Sequence, residues 1–147
     1  MHIAASGSNA SAPAPQGEGE GGPLATIGVL SAAAYAYRRQ AARETWASRE
    51  ELTRLRLVAS FVIASANATA PRVSGDMVWL PTHGASLSRL VSPLATTFAW
   101  LRYAATHLPH SSAAFVLKCD DDVYLHVAGL QPVLSLMLAD SKRPSPP

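Results

Sequence analysis

Three consecutive aspartates, Asp120, Asp121 and Asp122, follow the apolar segment 113–117. Adjacent carboxylates repel one another, which is costly beside an apolar strand unless a cation neutralises them. Mg²⁺ and Mn²⁺ prefer carboxylate and water oxygens, and substrate phosphates commonly complete their coordination. Because side chains alternate along an extended chain, Asp120 and Asp122 are predicted to share one side and Asp121 to take the other. The pattern favours a divalent-metal site with Asp120 and Asp122 as ligands.

Two other interpretations of the same aspartates stay open at this point. One is an acidic, solvated turn without chemistry. The other is a phosphatase of the haloacid dehalogenase type, whose Asp-x-Asp-x-Thr/Val signature also follows an apolar strand and begins with the nucleophile. Tyr124 stands where that signature requires threonine or valine, which disfavours the phosphatase.

A second group of candidate residues is the arginine-rich segment 38–46. It is predicted to begin a helix at the edge of the sheet where the aspartates lie. Arginines there could hold a diphosphate through forked hydrogen bonds. For any single arginine a solvated face is the stronger alternative, and Trp46 is expected in the core.

These residues are positioned by alternating apolar segments. Strands are predicted over 24–30, 56–64, 76–80 and 113–117, and helices over 38–48, 92–107 and 130–138. This alternation predicts an α/β domain with a mainly parallel, three-layer sheet, which binds ligands beyond the carboxyl ends of its strands. We also expect uncovered apolar helix faces, and hence marginal stability, at Leu94, Phe98, Leu101, Leu134 and Leu138.

Composition limits the remaining possibilities. Segments 1–23 and 141–147 are poor in large apolar residues, so both are expected to be disordered around a folded domain of residues 24–140. The net charge of +2, with arginines crowded in one segment, argues against a nucleic-acid partner. The single cysteine excludes an internal disulfide. The sequence contains no apolar run of about 18 residues, so no membrane segment is predicted.

Taken in order, the motifs resemble those of the β-1,3-galactosyltransferase family. Segment 27–32 followed by 38–46 is similar to that family's opening, an apolar strand ending in serine and then Arg-Arg-x-x-Ile-Arg-x-Thr-Trp. Segment 115–124, Phe-Val-Leu-Lys-Cys-Asp-Asp-Asp-Val-Tyr, resembles its metal-binding block. Segments 76–78 and 100–104 resemble the strand and helix between them, so the resemblance spans residues 24–138.

The resemblance implies a Rossmann-like fold of the GT-A type. It implies an inverting transfer of galactose or an N-acetylhexosamine from a UDP-sugar to a glycan or glycoprotein acceptor, in the Golgi membrane. Asp120, Asp121 and Asp122 would then hold Mn²⁺ or Mg²⁺ and the UDP-sugar. Ser31, Arg39 and Arg43 would also belong to the UDP-sugar site, with Arg39 and Arg43 as nucleotide-side or architectural residues.

The sequence also departs from that family. An acid and a lysine that the family carries between Leu80 and Phe98 are absent, and Cys119 replaces a threonine. The family's acceptor-binding half and catalytic base follow the metal block, and its anchoring helix precedes the domain. We therefore expect the donor-binding part alone, catalytically incomplete, with a non-catalytic remnant as the alternative.

Overall fold

The computed structural model describes residues 22–65, 68–82, 92–108 and 113–142. Most of the two segments expected to be disordered, residues 1–21 and 143–147, lies outside these ranges. The strands are β1 (Ala25–Ser31), β2 (Leu57–Ser65), β3 (Arg72–Ser74), β4 (Met77–Pro81) and β5 (Phe115–Asp120). The helices are α1 (Ala36–Glu44), α2 (Arg49–Arg54), α3 (Ser92–His107) and α4 (Val127–Ser141).

The five strands form one sheet in the order β3-β4-β2-β1-β5. Strands β4, β2, β1 and β5 are parallel, and β3 is antiparallel to β4. From β1 the chain moves outward to β2 and β4, and then crosses back to place β5 on the other side of β1. The carboxyl ends of β1 and β5 therefore flank the point at which strand order reverses, where open α/β sheets bind ligands.

The predicted α/β architecture with a mainly parallel sheet is confirmed. Its antiparallel strand was not predicted, because segment 65–75 has the composition of a loop. Gly75 supplies the turn between β3 and β4 with a φ of 60°, a left-handed conformation that glycine adopts without strain. The sheet is mixed for this reason.

Helices cover both faces of the sheet. Alternating strand residues pack on α1, α2 and α4 on one face, around Ile27, Val29, Phe61 and Trp46. The intervening residues pack on α3 on the other face, around Leu30, Val62, Leu80 and Trp100. Since a parallel strand is apolar on both faces, the segment 24–30 is buried throughout.

Helix α3 has the predicted bounds, but its apolar stripe faces outward. Leu94, Phe98 and Leu101 are 57%, 64% and 42% exposed, while Trp100 is 1% exposed. Phe98 precedes Trp100 by two residues, which is about 200° around a helix, so the two cannot both face the sheet. Trp100 faces the sheet because its ring lies over Gly28 and its Nε1 donates to the Leu117 carbonyl at 3.0 Å. The uncovered face predicted for this helix is confirmed.

The other two helical predictions need correction. The helix predicted over 38–48 ends at Glu44, and a separate helix α2 follows, with Ser48 accepting a hydrogen bond from the Glu51 amide at its start. Trp46 is buried as expected. Helix α4 is longer than predicted. Leu134 and Leu138 were wrongly expected to be uncovered, because Leu134 is buried in the core and Leu138 is partly buried against it. No helix in the described ranges is long and apolar enough to cross a bilayer.

The contact between Gly28 and Trp100 predicts a steric effect. A Cβ at residue 28 would lie 2.3 Å from the Trp100 ring, so Gly28→Ala should lower the free energy of unfolding by about 1–3 kcal/mol. Urea denaturation measures this change. In a Trp100→Phe background the smaller ring leaves room, and the same Gly28→Ala change should cost less. Equal costs in the two backgrounds would contradict the assigned contact.

Candidate functional site

Asp121 joins the ends of the two strands that flank the switch point. It follows β5, and its amide donates to the Leu30 carbonyl of β1 at 3.1 Å. Its side chain is only 5% exposed, and its carboxylate accepts hydrogen bonds from Ser31 Oγ at 2.6 Å and from Arg38 Nη1 at 3.0 Å. A carboxylate this buried requires such partners, so the ends of β1 and β5 are held together here.

Arg39 lies behind this contact. Its guanidinium is buried, donating to Ser31 Oγ at 2.9 Å, to the Ala32 carbonyl, and to the Ala33 carbonyl at 3.2 Å. The serine hydroxyl can therefore accept from Arg39 while it donates to Asp121. Arg39 fixes the loop after β1 from inside the protein, which makes it an architectural residue.

Arg43 is also directed away from the aspartates. Its Nε and Nη2 donate to the two carboxylate oxygens of Asp76 at 2.7 and 3.0 Å, and its guanidinium stacks 4.7 Å from the Phe61 ring centre. The hydrogen bonds to Asp76 raise the pKa of Arg43 above its ordinary value. Asp76 directly precedes β4. This ion pair therefore connects α1 to a strand that is separated from β5 by β2 and β1.

Arg38, which was predicted only as part of the segment 38–46 and not as an individual site residue, is the arginine that reaches the aspartates. Its Nη1 lies 3.0 Å from Asp121 Oδ1 and 3.4 Å from Asp122 Oδ2. Hydrogen bonds to Tyr37 and to Asp121 raise the pKa of its guanidinium. The available signal in the sequence was the helical spacing of Arg38, Ala41 and Thr45, which all line the same cleft as Asp121 and Asp122.

The expected alternation of the three aspartates stops at Asp120. Strand β5 ends there, and residues 121 and 122 form a turn. Asp120 remains on the strand face that carries Lys118, whose Nζ lies 2.9 Å away. Arg38 lies within 3.4 Å of both Asp121 and Asp122. Metal ligation by Asp120 and Asp122 stays a prediction.

Asp122 has the chemistry of a metal ligand in this group. Its side chain is 62% exposed and lines a cleft beside Arg38. Within the described ranges no three histidine, cysteine or acidic side chains converge on one point. Mg²⁺ and Mn²⁺ commonly use one or two carboxylates together with phosphate oxygens, and an exposed carboxylate at a cleft fits that role.

The cleft has a volume of about 470 Å³ and lies between α1 and the segment after β5. Ala41, Ala42 and Trp46 are among its lining residues, and the Trp46 Nε1 holds the opposite wall by donating to the Val123 carbonyl at 3.1 Å. Tyr37 and Tyr124, 66% and 69% exposed, also line it. Aromatic faces beside charged groups suit a ring with polar substituents, such as a sugar or a nucleobase.

Comparisons with known proteins leave the site to be interpreted on its own geometry. No protein-family model matches the sequence, and no curated protein is significantly similar to it. Function must therefore be argued from these side chains and from the order of the sequence motifs.

The buried position of Asp121 predicts different effects at neighbouring aspartates. Asp121→Asn should lower the free energy of unfolding by about 1–3 kcal/mol, because Ser31 and Arg38 lose a charged acceptor. Asp122→Asn is the matched control and should change it by less than about 0.5 kcal/mol, because that side chain is exposed. Urea titration at neutral pH compares them. Equal losses of unfolding free energy in the two variants would contradict the hydrogen bonds assigned to the buried Asp121 carboxylate.

Cys119 offers a pH-dependent test of burial at the end of β5. Burial, and then the charge of Asp120, raise the pKa of its thiol from 9.0 to about 11. The thiolate fraction at pH 8 should therefore be about a hundredfold lower in the folded protein than in the unfolded chain. Iodoacetamide labelling in buffer and in guanidinium chloride measures this ratio. Similar rates in the two conditions would show that Cys119 is not shielded.

Proposed function

We propose that this chain is the donor-binding part of a hexosyltransferase of the β-1,3-galactosyltransferase type. Its substrate would be a UDP-sugar carrying galactose or an N-acetylhexosamine, and its acceptor a glycan or glycoprotein. The observation that carries the proposal is the contact of Asp121 with Ser31 and Arg38 at the switch point of the sheet.

Two segments that resemble this family independently of each other meet at that contact. Ser31 and Arg38 belong to the opening segment, and Asp121 belongs to the acidic block more than 80 positions later in the sequence. A solvated acidic turn has no need of a buried aspartate with a serine and an arginine from another segment. A ligand site at a switch point does, since it must fix the two strand ends relative to each other.

Five side chains around the cleft have a role in this proposal. Asp122 would hold Mn²⁺ or Mg²⁺, and Asp121 keeps the acidic turn in position. When bound, the metal ion supplies positive charge to the diphosphate that leaves as UDP. Arg38 is close enough to add a second positive charge, and the two tyrosines offer stacking surfaces. The acceptor hydroxyl must also lose a proton to a base, and we assign no described residue to that step.

A transferase of this type would act in the Golgi, where UDP-sugars and glycoprotein acceptors meet. This placement rests on the resemblance of the motifs. It belongs to the proposal together with the choice of sugar.

The proposal predicts metal-dependent nucleotide binding. The 147-residue protein should bind UDP in calorimetry with Mn²⁺ present and lose that binding when EDTA is added. Asp122→Ala should lower the affinity for UDP at least tenfold, because too few hard oxygen ligands remain for the ion. Glu50→Ala removes an exposed acid on α2 and should leave the affinity unchanged.

Two results would contradict this proposal. The first is UDP affinity in a folded Asp122→Ala variant equal to that of the unmodified protein. The second is hydrolysis of a phosphate ester such as p-nitrophenyl phosphate without any binding of UDP, which would favour the phosphatase interpretation instead.

A further inference from the structure

At the mouth of the cleft, a guanidinium nitrogen lies between two carboxylates. Arg38 Nη1 is within 3.4 Å of both Asp121 and Asp122. The arginine side chain is 30% exposed, so it is not locked in this position by burial. A cation placed here reduces the repulsion between adjacent carboxylates, as a divalent ion would, but with one charge instead of two.

Asp121 does not depend on Arg38 alone. Ser31 donates to its other oxygen, Oδ2, at 2.6 Å, and Arg39 fixes that serine from the buried side. Asp122 has Arg38 as its hydrogen-bond partner and is otherwise largely exposed. If Arg38 moved away, Asp121 would remain hydrogen-bonded, whereas Asp122 would be released to another cation.

Arg38 also has a second set of contacts, with the aromatic rings of Tyr35 and Tyr37. Its guanidinium carbon lies 4.3 Å from the Tyr35 ring centre and 5.8 Å from that of Tyr37, and its Nε donates to the Tyr37 hydroxyl at 3.2 Å. Both tyrosines are exposed, at 39% and 66%. These contacts can keep the guanidinium at the rim of the cleft after it leaves the carboxylates.

We propose that Arg38 is a diphosphate-binding residue that exchanges partners. Before the donor binds, it neutralises Asp121 and Asp122. When a divalent ion takes its place beside Asp122, the guanidinium turns to the diphosphate oxygens of the donor. This inference rests on the proposed function and adds to it a specific ligand group and an order of events.

The exchange has a physical reason and a thermodynamic consequence. A divalent ion beside Asp122 repels the guanidinium, whereas diphosphate oxygens accept its forked hydrogen bonds. Metal alone must displace Arg38 without compensation, but metal with diphosphate gives Arg38 a new partner. Metal and nucleotide must therefore increase each other's affinity, and this coupling depends on Arg38.

The test compares two affinities in the 147-residue protein and in its Arg38→Gln variant. Calorimetry measures Mn²⁺ binding without nucleotide, and then UDP binding at saturating Mn²⁺. Removal of the competing cation should make Mn²⁺ alone bind about three- to tenfold more tightly, while loss of the forked bonds should weaken UDP about tenfold. Arg54→Gln, which removes an exposed arginine paired with Glu51 on α2, is the matched control and should change neither affinity.

In Arg38→Gln the affinity for Mn²⁺ should rise while the affinity for UDP falls, and a purely structural role would not change them in opposite directions. If Arg38 only stabilised the fold, Arg38→Gln would weaken both ligands and lower the urea midpoint, and that result would overturn the inference. Unchanged affinities would also overturn it. If the unmodified protein binds neither Mn²⁺ nor UDP, the proposed function fails together with this inference. If it binds both and the variant does not shift them in opposite directions, only the role of Arg38 fails.

Discussion

The buried carboxylate of Asp121 is the constraint on which the candidate site depends. A charged group removed from water must regain its hydrogen bonds within the protein, and Asp121 regains them from Ser31 and Arg38. Ser31 lies at the end of β1 and Arg38 lies near the start of α1. The buried carboxylate therefore holds these two parts of the chain against the turn that follows β5. Arg39 extends the arrangement inward by holding the serine and the loop that follows it.

The carboxylate of Asp121 can reach Ser31 because β1 and β5 are neighbours in the sheet. Strand β5 joins the sheet beside β1 after the chain has crossed over the face covered by α3. The crossover requires α3 to pack closely on β1, and Gly28 permits this by leaving room for the Trp100 ring. Trp100 then donates to the Leu117 carbonyl of β5, so the same contact that seats the helix also fixes the strand that carries the aspartates.

Much of the framework could be predicted from sequence because it depends on local patterns. Four of the strands, the bounds of α3 and the burial of Trp46 follow from apolar runs, a serine–proline helix start and helical spacing. The short strand β3 could not be predicted, since its exposed residues carry no apolar pattern and its pairing depends on β4. The sheet-facing side of α3 was also hidden, because the apolar stripe is on the outward face and the buried face depends on Gly28, a residue of another element.

The candidate site was predictable in its location but not in its pairings. Apolar strands that end in serine and in aspartate indicate the correct edge of the sheet. Whether Arg38, Arg39 or Arg43 faces the aspartates depends on how α1 is rotated against the sheet, which tertiary packing decides. Strand β5 ends at Asp120 and residues 121 and 122 form a turn, and this strand end also depends on pairing with β1.

The ends of β1 and β5 and the start of α1 are proposed to form one binding site for a metal ion and a nucleotide diphosphate. Paramagnetic broadening by Mn²⁺ in the presence of UDP tests it directly, residue by residue, in an amide-resolved NMR spectrum. If the site lies there, the amides of residues 31–33, 37–38 and 120–124 should broaden first, while those of 72–79 in the β3–β4 hairpin stay sharp. Broadening centred on any other part of the described chain, or none at saturating UDP, would contradict it.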